Sequence, residues 1–155
     1  MKIAVVIYSY TGNSFSIGQK IVHFLQLHNH QAKLIRVNVT DDQPSKTDVQ
    51  FGEIESIEPF DTIIFGSPVR AFSLAPAMVK YLQQIDSLSG KSVSCFVTKQ
   101  LTFSWTGGTS ALKKMVSLCK EKGADINKTG IIQWSSRNRD SLIEQLIKEM
   151  TDKMV

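Results

Sequence analysis

Cysteine and histidine are scarce in this sequence. Its 155 residues include two cysteines, Cys95 and Cys119, which form no Cys-x-x-Cys pair, and three scattered histidines. A disulfide scaffold needs more cysteines, and a metal centre needs ligands at a recognisable spacing. We therefore expect no metal site, and we interpret both cysteines as packing residues.

Long apolar runs are also missing. No stretch approaches the roughly 20 apolar residues of a membrane span, and Met1-Lys2 leads directly into an apolar segment rather than a signal peptide. The length suits one domain, and 42% hydrophobic and 21% charged residues are ordinary for a soluble protein. We expect a single domain over residues 1–155, located in the cytoplasm, with neither a membrane span nor a nucleic-acid partner.

Two kinds of apolar segment alternate along the chain, without repeats or linkers. Short runs rich in Val, Ile and Phe predict buried strands, and apolar residues at helical spacing predict helices, as in an α/β protein with a parallel sheet. The predicted strands cover residues 3–8, 32–39, 62–66, 92–98 and 128–133. The first predicted helix begins after Ser14, and three further helices cover residues 75–85, 109–122 and 138–154. Residues 45–59 are ambiguous, because their apolar residues allow a short helix that Gly52 disfavours.

The loop between the first strand and the first helix has the composition of a phosphate site. Its sequence is Ser9-Tyr10-Thr11-Gly12-Asn13-Ser14. A Walker loop needs a second glycine followed by Lys-Ser/Thr, and a dinucleotide fingerprint needs three glycines, so neither fits. The hydroxyls of Ser9, Thr11 and Ser14, together with N–H groups at the start of a helix, can surround an anion. The alternative is a simple turn with a helix cap, since Ser, Thr and Asn are common N-cap residues.

Two further loops follow the third and fourth predicted strands, and a doubly wound sheet brings all three loops to one edge. The second loop is Ser67-Pro68-Val69-Arg70-Ala71-Phe72. The third runs over residues 98–108, is nearly uncharged, and includes Thr98, Lys99, Phe103, Trp105, Gly107 and Gly108. Its aromatic residues suggest stacking on a flat ring system. Alternatively, Phe103 and Trp105 cover the core beneath a long loop.

Taken together, these motifs resemble the flavodoxin-like FMN family over nearly the whole chain. The resemblance implies a doubly wound five-stranded parallel sheet of order 2-1-3-4-5 with helices on both faces. It implies that non-covalent FMN is bound, with its phosphate on Ser9, Thr11, Gly12, Asn13 and Ser14. It also implies that the Pro68–Phe72 backbone and the loop over residues 98–108 hold the isoalloxazine ring. Gly66-Ser67-Pro68 is most similar to short-chain flavodoxin-family proteins and to quinone or NAD(P)H reductase relatives.

The chain departs from carrier flavodoxins in two respects. Its net charge is +4, whereas carriers are generally acidic, and Arg70-Ala71 stands where carriers tend to have a small residue such as glycine. Lysines 113, 114, 120 and 122 could form a basic docking surface, or only a solvated helix face. Among proteins of this fold without a redox role, a receiver domain is disfavoured, because Tyr8-Ser9 and Gly66-Ser67 occupy positions that need acidic residues.

We therefore predict an FMN-binding redox protein that mediates electron transfer to a partner protein or a small acceptor. The alternative is an FMN-dependent NAD(P)H or quinone oxidoreductase. No side chain is a plausible general base, so the flavin would carry the chemistry and no catalytic residue is assigned.

Overall fold

A central parallel sheet organises the molecule. The computed structural model describes residues 2–40, 48–70, 72–100 and 107–152. The strands in these ranges are β1 (Lys2–Ile7), β2 (Gln31–Arg36), β3 (Thr62–Arg70), β4 (Ser73–Leu74), β5 (Ser92–Lys99) and β6 (Asp125–Gln133). Five of them pair in parallel in the order β2-β1-β3-β5-β6, and β4 pairs antiparallel with the end of β3. The predicted five-stranded order is confirmed, and the two-residue β4 is an addition to it.

Helices cover both faces of the sheet. They are α1 (Asn13–Leu27), α2 (Pro76–Gln84), α3 (Gly108–Glu121) and α4 (Arg139–Thr151). Successive side chains of a strand point to opposite faces, so β1 contributes Ile3, Val5 and Ile7 to the core under α1 and α4. Ala4 and Val6 point into the core under α2 and α3. Because both faces are covered, β1 is apolar from Ile3 to Ile7, which is why its sequence predicts a buried strand.

The connection between β2 and β3 differs from one of the expectations. Residues 48–59 contain no helix. Instead, Val39 and Phe51 form an antiparallel bridge, the N–H of Thr40 donates to the Gln50 carbonyl, and the N–H of Gly52 donates to the Asn38 carbonyl. The suggested short helix is therefore wrong over residues 48–59, because backbone pairing with the segment after β2 satisfies groups that a helix would pair internally.

Strand register brings the predicted loops together. Ile7 lies beside Gly66, and Gly66 lies beside Phe96, so the carboxyl ends of β1, β3 and β5 lie at the same edge of the sheet. The β3 strand continues past the predicted end at Gly66 to Arg70, where the chain turns back into β4. None of the helices within the described ranges is long and apolar enough to cross a membrane.

Candidate functional site

The first loop leaves the amino-terminal end of α1 without a side-chain cap. The N-cap is Gly12, in the left-handed conformation with φ of 96°, and no side chain caps the helix. The first intrahelical hydrogen bond of this turn runs from the Ser16 N–H to the Gly12 carbonyl. The N–H groups of residues 13–15 therefore have no acceptor within the helix. The alternative of a Ser, Thr or Asn N-cap is therefore wrong on this point. Such an end can receive an anion.

The three hydroxyl side chains of this loop lie in different surroundings. Ser9 is buried, and its Oγ accepts a hydrogen bond of 3.0 Å from the Gly12 N–H. Ser14 is buried too, and its hydroxyl shares a 2.9 Å hydrogen bond with that of Thr98 at the end of β5. Thr11, by contrast, is exposed. Ser9 and Ser14 thus hold the loop in place, and Thr11 is exposed at the surface of the site.

The second loop forms a tight hairpin between β3 and β4. Ser67 is fully buried and its hydroxyl donates to the Pro68 carbonyl at 3.1 Å. Phe72 has a φ of 64° and is 57% exposed. Arg70 pairs with Ser73 across the hairpin, and Val69 pairs with Leu74. Ala71 lies outside the described residues. The hairpin therefore exposes the aromatic side chain of Phe72 and brings Arg70 beside Tyr10 of the first loop.

Arg70 is held by two tyrosines. Its Nη1 donates to the Tyr8 hydroxyl at 3.0 Å, and its Cζ lies 4.2 Å from the centre of the Tyr10 ring. Its Nη2 is buried and has no hydrogen-bond partner in the part of the chain that the structure describes. A buried donor without an acceptor costs about 1 to 3 kcal/mol, and more when it is charged. This arrangement is the least satisfied polar feature of the site.

The third loop leads into α3, and the start of that helix packs against this hairpin. Gly107 is its N-cap, with φ of 96° and no side-chain cap. A Cβ at Gly107 would lie 2.1 Å from the Phe72 carbonyl oxygen, so the second and third loops pack directly against each other. The Lys99 side chain passes close to Gly108, since a Cβ there would lie 3.1 Å from Lys99 Cδ. The predicted stacking residues Phe103 and Trp105 lie outside the described residues.

Residues from all three loops line one cavity at this edge of the sheet. It has a volume of about 170 Å³ and is lined by Tyr10, Thr11, Asn13, Pro68, Val69, Arg70, Thr98, Lys99 and Gln100. These lining residues include two cations, Arg70 and Lys99, and no carboxylate. Larger cavities occur in the described structure, among them one of about 430 Å³ near Lys2 and Phe60, but their lining residues come from other parts of the molecule. The cavity between the loops thus favours an anionic ligand.

Tyr8 was not among the predicted site residues, and Gln100 was predicted only as part of the loop over residues 98–108. Gln100 lines the cavity, and Tyr8 binds Arg70 from the last position before the first loop. Tyr8 is buried at the end of an apolar run, which made it look like part of the strand. Tyr8 could have been predicted as a site residue because it carries a hydroxyl at the carboxyl end of a parallel strand, the edge where ligands bind.

The two cysteines lie apart from this chemistry. Both are free and buried, Cys95 in β5 and Cys119 in α3. A hydrogen bond with Cys119, together with burial, raises the pKa of the Cys95 thiol well above its ordinary value. Cys95 therefore stays protonated at neutral pH, in agreement with a packing role. The described residues contain no cluster of His, Cys, Asp or Glu that could hold a metal ion.

Comparison with known proteins supports the fold. No protein-family model matches the sequence, and no curated protein matches it. Among solved structures, the chain is similar to oxidised flavodoxin 1 from Bacillus cereus, with 16% identity, a TM-score of 0.71, and 96% of this chain and 93% of that chain covered. It is similar to a Streptococcus pneumoniae TIGR4 flavodoxin, with 15% identity, a TM-score of 0.70 and 99% of each chain covered.

A third similar structure is a flavoprotein in complex with FMN from Lactobacillus acidophilus NCFM. It shares 17% identity with a TM-score of 0.67, and 94% of this chain and 97% of that chain are covered. At these identities the similarity establishes the architecture. The chain has a flavodoxin-like α/β fold, as its sequence motifs predicted.

Proposed function

We propose that this protein is a single-domain flavodoxin-like redox protein that binds FMN non-covalently. The observation that carries the proposal is the start of α1, which has Gly12 in the left-handed conformation and no side-chain cap, beside a cavity lined by Asn13 and two cations. The structurally similar flavoprotein from Lactobacillus acidophilus was determined in complex with FMN, and it supports the same ligand class.

The residues present fit a phosphate-bearing ligand. The N–H groups of the first loop and the exposed Thr11 hydroxyl would bind the phosphate, while Ser9 and Ser14 keep the loop in shape. The cavity is smaller than the roughly 300 to 1,000 Å³ of most small-molecule sites, so a ligand with a ring system would extend beyond it. We place the ring near Val69 and the exposed Phe72, with Phe103 or Trp105 as the second aromatic neighbour. Bound FMN would supply the electron-accepting centre, and the chain would bind and orient it.

Ligand discrimination tests the phosphate assignment. The protein should bind FMN more tightly than riboflavin, which lacks the phosphate. Thr11→Ala should weaken FMN binding roughly ten- to a hundredfold and riboflavin binding far less, since a hydrogen bond to a charged group contributes about 1.5 to 3 kcal/mol. Quenching of flavin fluorescence gives both dissociation constants.

The matched control is Thr129→Ala, which removes an exposed threonine from β6, far from the first loop. It should leave both dissociation constants unchanged. If Thr11→Ala weakened FMN and riboflavin binding equally, the assignment of the phosphate to the first loop would be refuted. Failure of the unaltered protein to bind either flavin would remove the proposed function.

The role that we propose for the bound flavin is electron transfer to a partner protein. The second candidate is hydride transfer from NAD(P)H to the flavin, followed by reduction of a quinone or another small acceptor. It is favoured by the cations Arg70 and Lys99 beside the cavity, since they suit an anionic substrate. Anaerobic mixing of the FMN-loaded protein with NADH or NADPH separates the two. Rapid bleaching of the flavin absorbance supports the enzyme, and a stable oxidised spectrum supports the carrier.

A further inference from the structure

The Arg70 guanidinium is fixed before any ligand arrives. One edge is held by the Tyr8 hydroxyl through Nη1, and one face is covered by the Tyr10 ring. Its backbone is fixed as well, because Arg70 pairs with Ser73 in the β3–β4 hairpin. An arginine held in this way loses little side-chain entropy when it forms a further hydrogen bond.

The remaining edge of the guanidinium lacks an acceptor. Nη2 is buried, and no residue in the described ranges accepts a hydrogen bond from it. The residues that line the cavity with Arg70 offer amides, hydroxyls and another cation, but no carboxylate. Buried charged donors are normally paired, so an unpaired one beside a cavity points to an acceptor that the ligand brings. A guanidinium offers only hydrogen-bond donors, so that acceptor is electron-rich or anionic.

We propose that Arg70 donates through Nη2 to the electron-rich pyrimidine edge of the bound flavin and holds the reduced form more tightly than the oxidised one. This inference rests on the proposed FMN function. Reduction of the ring by two electrons with uptake of one proton leaves one negative charge, which a fixed guanidinium stabilises. Tyr8 and Tyr10 act as positioning residues for Arg70. The phosphate is assigned to a different element, the start of α1.

The experiment measures binding of two ligands in two redox states. Dissociation constants of oxidised FMN and riboflavin are obtained from fluorescence quenching, and midpoint potentials of the bound flavins from anaerobic equilibration with a reference dye. Arg70→Gln should weaken binding of the reduced ring about tenfold relative to the oxidised ring, which lowers the two-electron potential by about 30 mV. The shift should be the same for FMN and riboflavin, because both share the pyrimidine edge.

Three further variants sharpen the test. Arg70→Lys keeps the charge but not the planar fork, so it should recover part of the shift. Tyr8→Phe should give a shift in the same direction as Arg70→Gln but smaller, because it only releases Nη1. Arg139→Gln is the control for charge alone. Like Arg70, Arg139 lies over an aromatic ring and donates one hydrogen bond through Nη1, in its case to the Trp134 carbonyl, but it does not line the cavity. Arg139→Gln should leave the potential unchanged.

Each other outcome decides against the inference. Identical potentials in the unaltered protein, Arg70→Gln and Arg70→Lys would overturn it, with circular dichroism confirming that the variants are folded. Weakening of FMN alone, equal in both redox states, would make Arg70 a phosphate ligand and would overturn it too. Unchanged potentials with a raised KM for a carboxylated quinone, but not for an uncharged one, would assign Nη2 to a substrate carboxylate instead. If the unaltered protein bound no flavin, the proposed function itself would fail.

Discussion

Replacing two glycines by alanine separates backbone strain from a steric clash at the site. Gly12 and Gly107 have the same φ of 96°, and each is the N-cap of a helix that begins at the site. A Cβ at Gly12 would meet no heavy atom within 4 Å, whereas a Cβ at Gly107 would lie 2.1 Å from the Phe72 carbonyl oxygen and 2.4 Å from its carbon. The two substitutions are thus alike in conformation and differ in the space around them.

The expected magnitudes follow from this difference. An alanine in the left-handed conformation costs about 1 to 2 kcal/mol, and the lower entropy of the unfolded chain offsets about 0.4 to 1 kcal/mol of that. Gly12→Ala should therefore reduce the free energy of unfolding by about 1 kcal/mol. Gly107→Ala must also displace the Phe72 backbone, and overpacking of this kind adds about 1 to 3 kcal/mol. A total loss of roughly 2 to 4 kcal/mol is expected at Gly107.

Urea unfolding followed by circular dichroism measures these free energies. Gly90→Ala is the control, because Gly90 has a φ of 77°, no heavy atom within 4 Å of a Cβ, and a position at the other end of β5. Its loss should equal that of Gly12→Ala. Gly12→Ala should weaken FMN binding relative to riboflavin binding, whereas Gly90→Ala should not. Equal losses at Gly12 and Gly107 would contradict the packing of the second loop against the third.

Two further predictions concern stacking and alkaline stability. At least one of Phe103→Ala and Trp105→Ala should lower FMN affinity and raise the emission of bound flavin. An aromatic ring stacked on the flavin stabilises the complex and quenches the flavin fluorescence. No change in either variant would make both aromatics core residues. Burial raises the pKa of Tyr81 from 10.0 to about 12, so the unfolded chain ionises first. The Tyr81 ring should contribute no pH dependence below pH 10, and its ionisation in the unfolded chain should lower the free energy of unfolding by about 2 to 3 kcal/mol as pH rises to 12. Urea titrations of Tyr81→Phe should lack this part of the loss, and an identical loss in that variant would refute the assignment.

The architecture could be predicted from local sequence because its determinants are local. A strand buried on both faces needs an unbroken apolar run, and Ile3–Ile7 provides one, completely buried as expected. The helices carry apolar residues at helical spacing, and Gly12 marks the start of α1 through a conformation that glycine adopts at little cost. The strand order was implied by the resemblance to the flavodoxin-like family, and right-handed crossovers in such a sheet bring the three loops to one edge.

The contacts inside the site depend on residues far apart in the chain. The Arg70 charge was visible in the sequence, but its bond to Tyr8 joins positions 62 residues apart and depends on how β1 and β3 pair. Likewise, the sequence predicts Ser14 as a phosphate ligand, but only the strand register shows that its hydroxyl shares a 2.9 Å hydrogen bond with that of Thr98. Local sequence determined which elements form and where their loops meet. Only tertiary packing decided which polar groups in those loops satisfy one another and that Arg70 Nη2 lacks an acceptor among the described residues.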